Sequence, residues 1–172
     1  PLLEQVVTAR PDQLTTLQAL AAKVNADAFA LTGVDPQYVA FLVEGNDVGG
    51  IDVGFLVKSS RVTVVDVVQE GAATMYTPPT GPPALLNDRP PLRLDASVPV
   101  PGHPDFEFSV VVAHQRSLNG VDDDNAPDDD GISGPRVREK RGKQAESLAR
   151  LAQSLQSRPG IGPHLVIVGD FN

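Results

Sequence analysis

Two apolar words constrain this chain more than anything else in it: VVV at 110–112, inside FEFSVVVAHQR, and LVIV at 165–168, inside HLVIVGDFN. An unbroken aliphatic run, unlike a strict apolar–polar alternation, suits a strand whose two faces are both covered. Both words are therefore expected as buried strands. Between them VREKRGKQAESLARLAQSLQ (Val137 to Gln156) reads as a long amphipathic helix, with Ala145, Leu148, Leu151, Ala152 and Leu155 inward.

The rest of the chain supplies partners for those strands. DQLTTLQALAAKV (Asp12 to Val24) places Leu14, Leu17, Leu20, Ala21 and Val24 on one helical face, with Asp12 suited to cap its start. QYVAFLVE (Gln37 to Glu44), IDVGFLVK (Ile51 to Lys58) and RVTVVDVVQ (Arg61 to Gln69) read as strands, the last two joined as an antiparallel hairpin through Ser59 and Ser60. Gly71 to Pro91 is too rich in proline for regular structure and is expected as a long surface loop before a further strand, LRLDASV. Hairpins alternating with strand–helix–strand passages predict an α+β chain in one domain, with helices outside layered sheets.

Composition removes several chemistries. The chain has no cysteine, which excludes disulfides, cysteine-ligated zinc and thiol nucleophiles. No apolar run approaches the ~20 residues a membrane helix needs. The formal net charge of −8 disfavours indiscriminate attraction to polyanions. A phosphate-bearing substrate would then need a local cation, from Lys and Arg or from a bound metal.

Candidate chemistry sits where the two apolar strands end. His114 follows VVV by one residue, and Asp170 and Asn172 follow LVIVG. An imidazole can move a proton, a carboxylate can orient a water or bind a hard cation, and a carboxamide can hold a phosphate oxygen. A plainer reading stands beside this one: Asp170 and Asn172 form an Asx turn, and His114 is a satisfied strand-end histidine. Arg116 and Ser117 lie two and three positions beyond His114, within reach of a phosphate or solvated. Arg136, Arg138, Lys140, Arg141 and Lys143 read first as a solvated helix face. Asp52 reads as tying down the preceding turn, with Gly49 and Gly50 allowing positive φ there. His103 and His164 read as surface or turn residues.

The loop NGVDDDNAPDDDGISGP carries six aspartates. It fails as an EF-hand: with Gly131 at the glycine position, Ala126 falls at the first ligand and Val137 at the last. A solvated loop, or a looser calcium site through Asp122 to Asp130, remains.

In their order and spacing GIDVGFLV, LLNDRPPLRL, VVVAHQRSLNG, RVREKRGKQAESLARL and HLVIVGDFN resemble the endonuclease/exonuclease/phosphatase superfamily. More narrowly they are similar to its bacterial branch of predicted extracellular, deoxyribonuclease-like nucleases, over about Leu14 to Asn172. The resemblance implies a four-layer αββα sandwich that hydrolyses phosphodiesters with Mg²⁺ (or Mn²⁺ or Ca²⁺). It implies a nucleic acid or other phosphodiester partner and a secreted or cell-surface location. By resemblance His114 contacts the scissile phosphate or assists the leaving oxygen. Asp170 orients the attacking water or lies near the metal, Asn172 contacts the phosphate, and Arg89 of NDRPPL reaches a substrate phosphate.

The family's principal metal-binding glutamate and its general-base histidine have no counterpart here; Glu4 is the nearest glutamate and its context differs. The chain is thus expected to be an internal piece of a larger enzyme, incomplete at both ends and with little activity of its own. Two other expectations compete with a nuclease: a phospholipid or phosphoinositide phosphoesterase, and a non-catalytic binding or surface module on the same framework.

Overall fold

The computed structural model describes residues 11–124, 133–159 and 164–172. They form a mixed α+β fold in the order α1 (Pro11–Thr32), β1 (Tyr38–Leu42), β2 (Gly54–Lys58), β3 (Thr63–Gln69), β4 (Met75–Tyr76), β5 (Ala84–Leu85), β6 (Leu92–Val98), β7 (Phe106–His114), α2 (Gly134–Gln156) and β8 (Leu165–Asp170). No described helix is long and apolar enough to cross a membrane.

Three sheets result. β1 and β2 pair antiparallel, β4 and β5 form a two-residue ladder, and a four-stranded sheet runs β3–β6–β7–β8. In the larger sheet β6 runs antiparallel to both β3 and β7, while β8 lies parallel to β7. A parallel neighbour needs a crossover, and α2 is that crossover.

The hairpin expected between β2 and β3 does not form. Each strand has a different partner, β1 for β2 and β6 for β3. Ser59 and Ser60 hold the chain back on the β1 side, their hydroxyls donating to Gln37 O at 2.7 Å and Pro36 O at 2.8 Å. The link therefore carries the chain from one sheet to another. The two sheets meet through their apolar faces: Val57 of β2 packs in one cluster with Leu94 and Ala96 of β6, joined by Phe41, Phe55, Val62, Val64, Val67 and Phe108. Val64 and Val67 share that face, three residues apart, because a β-bulge between Val64 and Asp66 resets the alternation.

Opposite faces of the larger sheet carry different chemistry. Phe108 lies on the β1–β2 side, so Ser109, Val111 and Ala113 point the other way, toward α2, and all three are buried. Arg93 and Asp95 of β6 pair in register with Val111 and Ser109 on that side. They form a buried ionic group: Arg93 pairs with Asp95 and with Glu70 (2.7 Å), and Ser109 Oγ donates to Asp95 (2.7 Å).

Four expectations from the sequence need correction. Helix α1 continues past Val24 to Thr32, and Leu20 points outward, 49% exposed. On α2 the inward face runs through Val137, Gln144, Leu148 and Leu155, and Ala145 is exposed. The proline-rich passage does contain a ladder, because Pro78, Pro79, Pro82 and Pro83 fall in its connection rather than in β4 or β5. Its far end is not surface either, since Leu86, Asn87, Arg89 and Pro90 are buried. Finally, β8 is buried only in part. Val166 and Val168 are 50% and 42% exposed, because β8 is the sheet's edge and the two-stranded β1–β2 layer packs on β3, β6 and Phe108 instead. Asp12 lies in the first turn of α1, and its capping role concerns atoms outside the described residues.

Gly169 fixes how β8 sits on β7. Its φ is +137°, and a Cβ there would stand 1.8 Å from Ala113 O. No side chain fits without parting the two strands. Gly169→Ala is expected to cost on the order of 3 kcal/mol, read as a lowered urea midpoint with an unchanged slope.

Candidate functional site

The site lies at the end of β7 and β8, where both strands, being parallel, release the chain on the same edge. His114 and Asp170 are register partners across the β7–β8 pair. His114 Nε2 stands 3.8 Å from Asp170 Oδ2, and the Asp170 side chain is 60% exposed. Beyond the strands, Asn172 N donates to Asp170 Oδ1 at 2.9 Å, which closes an Asx turn, and Asn172 sits in the left-handed region at φ 55°. Asn172 Nδ2 donates to Gln115 O at 3.1 Å, so the carboxamide also ties the two strand ends together. Gln115 N in turn donates to Asp170 O at 3.0 Å.

Arg89 enters from the segment before β6. Its Nη1 lies 3.0 Å from His114 Nε2 and its Nη2 donates to Gln115 O at 3.3 Å. A guanidinium carries donors only, so His114 accepts through Nε2. The structure thus brings Arg89 to the same strand ends as His114, Asp170 and Asn172. Arg116 and Ser117 follow on the same loop and are half-buried. The Arg116 backbone N–H is engaged, donating to Gln144 Oε1 at 2.8 Å.

Helix α2 holds this edge in place, and here the sequence misled. Four of the five basic residues at its start reach other segments, while Lys143 pairs only along the helix, with Glu139 and Glu146, as a solvated face would. Lys140 pairs with Asp88 at 2.7 Å, next to Arg89, and Arg136 donates to Thr80 O at 3.0 Å. Arg138 bonds Asp124 at 2.6 Å and also Val121 O. Arg141 donates to Arg116 O, Phe171 O and Asn172 O, clamping the loop after β7 to the segment after β8. Buried Gln144 accepts from Arg116 N and donates to Leu86 O at 2.9 Å, bridging the β7 loop to the passage that carries Arg89. Arg141 was read from sequence only as part of a solvated basic face, and Gln144 was not singled out at all. The one available signal was a polar residue at the inward position of the helical repeat, three residues after Arg141 and four before Leu148.

On the opposite flank, Asp52 Oδ1 accepts from Gly45 N at 2.6 Å, as expected of a turn-tying residue. Gly50 has positive φ; Gly49 does not, and its N–H instead donates to Asp47 Oδ1 at 2.7 Å. Asn46 donates from its side chain to Ala72 O and Asn87 O, both at 2.8 Å, which joins this loop to the one bearing Arg89. His103 and His164 are both exposed, in keeping with the surface reading.

Burial lowers the pKa of His114 from its ordinary 6.5, and the Arg89 charge lowers it further; the Asp170 and Asp47 carboxylates oppose this without restoring it. His114 is thus neutral at pH 7. Below 6.5 the unfolded chain takes up a proton that the folded state still refuses. The stability this histidine contributes is therefore complete above 6.5 and drains away as pH falls through its folded value.

The fit to a metal is poor. Among the described residues no three His, Asp or Glu side chains converge on one ion position. Asp170 offers a single carboxylate, and its Oδ1 already accepts from Asn172 N. A hard cation held by protein oxygens needs more than that. Glu4 and the part of the Asp-rich loop from 125 to 132 lie outside the described residues.

No protein-family model matches this chain, and a comparison with curated proteins finds no significant match.

Two outcomes are expected. A histidine-resolved NMR titration should place the His114 midpoint below 6.5, and Asp170→Asn should move it further down by removing an opposing carboxylate; an upward move would contradict the stated balance. Gln144→Leu should destabilise the fold by about 2 kcal/mol, because it leaves Arg116 N and Leu86 O without their partner, measured by thermal unfolding.

Proposed function

We propose that this chain handles phosphodiesters, as a nuclease-like domain of the four-layer αββα, deoxyribonuclease-like kind. The reaction would be hydrolysis of a bond in DNA or RNA by an activated water. One observation carries the proposal: His114, Arg89 and the Asp170–Asn172 pair, from three segments distant in sequence, converge on one sheet edge. The layer reading draws support from α1 against β1, the meeting of the two sheets, and α2 beside the larger one.

In this reading the chain's own residues supply the phosphate side of the chemistry. His114 donates a hydrogen bond to a phosphate oxygen, and Asn172 and the Arg116–Ser117 loop complete the cradle. The Asp170 carboxylate, open to solvent through Oδ2, orients the water. Families of this kind draw on Mg²⁺, with Mn²⁺ or Ca²⁺ in its place, to polarise the phosphoryl oxygens. The described residues do not assemble such a site, and Asp170 is its sole candidate ligand among the residues singled out.

A second reading is a non-catalytic binding module on the same framework. It is favoured by the Arg89 hydrogen bond, which occupies the Nε2 lone pair of His114 that a proton-accepting histidine would use.

The two readings part in one assay. The protein carrying this chain is given plasmid DNA, RNA and bis(p-nitrophenyl) phosphate with Mg²⁺. Turnover is expected, reduced by His114→Ala and by Asp170→Ala, each by roughly 10²–10⁴-fold in kcat. Turnover untouched by both substitutions removes the site assignment, and binding of DNA or RNA without turnover selects the module.

A further inference from the structure

An arginine that serves a substrate phosphate is normally presented to solvent. Arg89 is instead 9% exposed, and its Nε is buried without a hydrogen-bond partner among the described residues. Its two terminal nitrogens face the protein: Nη1 toward His114 Nε2 at 3.0 Å and Nη2 toward Gln115 O at 3.3 Å. The backbone that carries the side chain is fixed as well. Asp88, its neighbour in sequence, is held by Lys140 at 2.7 Å, and Asn46 N donates to Asp88 O at 2.7 Å.

Geometry then dictates the imidazole. A guanidinium has five N–H groups and no acceptor, so Nε2 of His114 must be unprotonated to meet it. A neutral ring carries its single proton on the other nitrogen. No described residue hydrogen-bonds Nδ1, although a quarter of the His114 side chain is exposed (24%). That nitrogen is open to a ligand.

We infer that Arg89 is a positioning residue that acts through His114: by donating to Nε2 it fixes the proton on Nδ1 and aims that N–H outward, toward a phosphate oxygen. The use made of Nδ1–H rests on the phosphodiester reading above; the Arg89–His114 pairing does not. The pairing explains why an acidic chain keeps a buried cation at this edge. Its charge serves to hold one tautomer, and the neutral N–H does the recognising.

The test has two arms. In the first, ¹⁵N NMR of the histidine ring, above the pH of its titration, reads the tautomer directly. The wild-type protein is expected to show Nδ1 protonated, and Arg89→Met to shift His114 toward the Nε2–H form; Arg89→Lys, which keeps a donor, should retain at least part of the Nδ1–H population. Nε2–H in the wild type, or an unchanged tautomer in folded Arg89→Met, overturns the inference. The wild-type spectrum decides the matter even if the variants fold poorly.

In the second arm, binding of inorganic phosphate is measured in wild type, Arg89→Met, His114→Ala and the double variant. Arg89→Met is expected to weaken binding about tenfold in the wild-type background and to have no further effect once His114 is gone. Equal losses in both backgrounds would show Arg89 binding phosphate itself and overturn the positioning role. Wild-type protein that shows the Nδ1–H tautomer yet binds neither phosphate nor a phosphodiester removes the phosphodiester reading and leaves the Arg89–His114 relation standing.

Discussion

Everything at the candidate site depends on how closely β8 can lie beside β7. The approach is set by backbone rather than by side chains: Gly169, at φ +137°, rests against Ala113 where a single Cβ would collide with the carbonyl. That contact makes Asp170 the register partner of His114. The Asx turn and the Asn172–Gln115 bond then follow, because the chain leaves both strands at the same level. Substituting a larger residue would not remove a functional group, yet it would separate all of them. The glycine in GDFN is thus as much a part of the site as the aspartate that follows it.

A second level of order comes from α2. The parallel pairing obliges a crossover, and the crossover brings Lys140, Arg141 and Gln144 against the loops that emerge from the sheet. Arg141 gathers three carbonyl oxygens and Gln144 uses both ends of its amide. These residues satisfy backbone groups that loops would otherwise leave to water. The helix therefore acts as a brace for irregular segments as well as a cover for the sheet. The buried Arg93–Asp95–Glu70 group on the same side shows the cost accepted there: charges withdrawn from water, held by mutual pairing.

Sequence revealed the strands whose pattern is local and concealed what depends on distant partners. β7 and β8 were readable as aliphatic runs, and His114, Asp170 and Asn172 as polar residues just past their ends. The β2–β3 link looked like a hairpin because its short turn is local information, whereas β1 and β6 compete for the two strands from elsewhere. Ala145 looked inward because it is apolar and at helical spacing; Gln144 wins that place because two backbone groups need its amide. The bulge in β3 has no signature in a run of valines. Arg89 stood out in its sequence word, but not where its side chain points. Whether a guanidinium faces a ligand or a histidine is decided by the packing of Leu86 to Pro90, which a proline-rich word does not disclose.

Among the described residues the outer flank of β8 has no strand beside it, and this has a consequence for how that border behaves. An edge strand presents unpaired N–H and C=O groups, and this one adds two exposed valines on one face. Such a border is adhesive: another extended chain can extend the sheet there and bury the valines as it does so. What works against indiscriminate stacking is the overall charge of −8, since like-charged copies repel before their edges meet. Ionic strength is then the quantity that governs whether this border stays bare, because salt weakens the repulsion and leaves the apolar attraction intact.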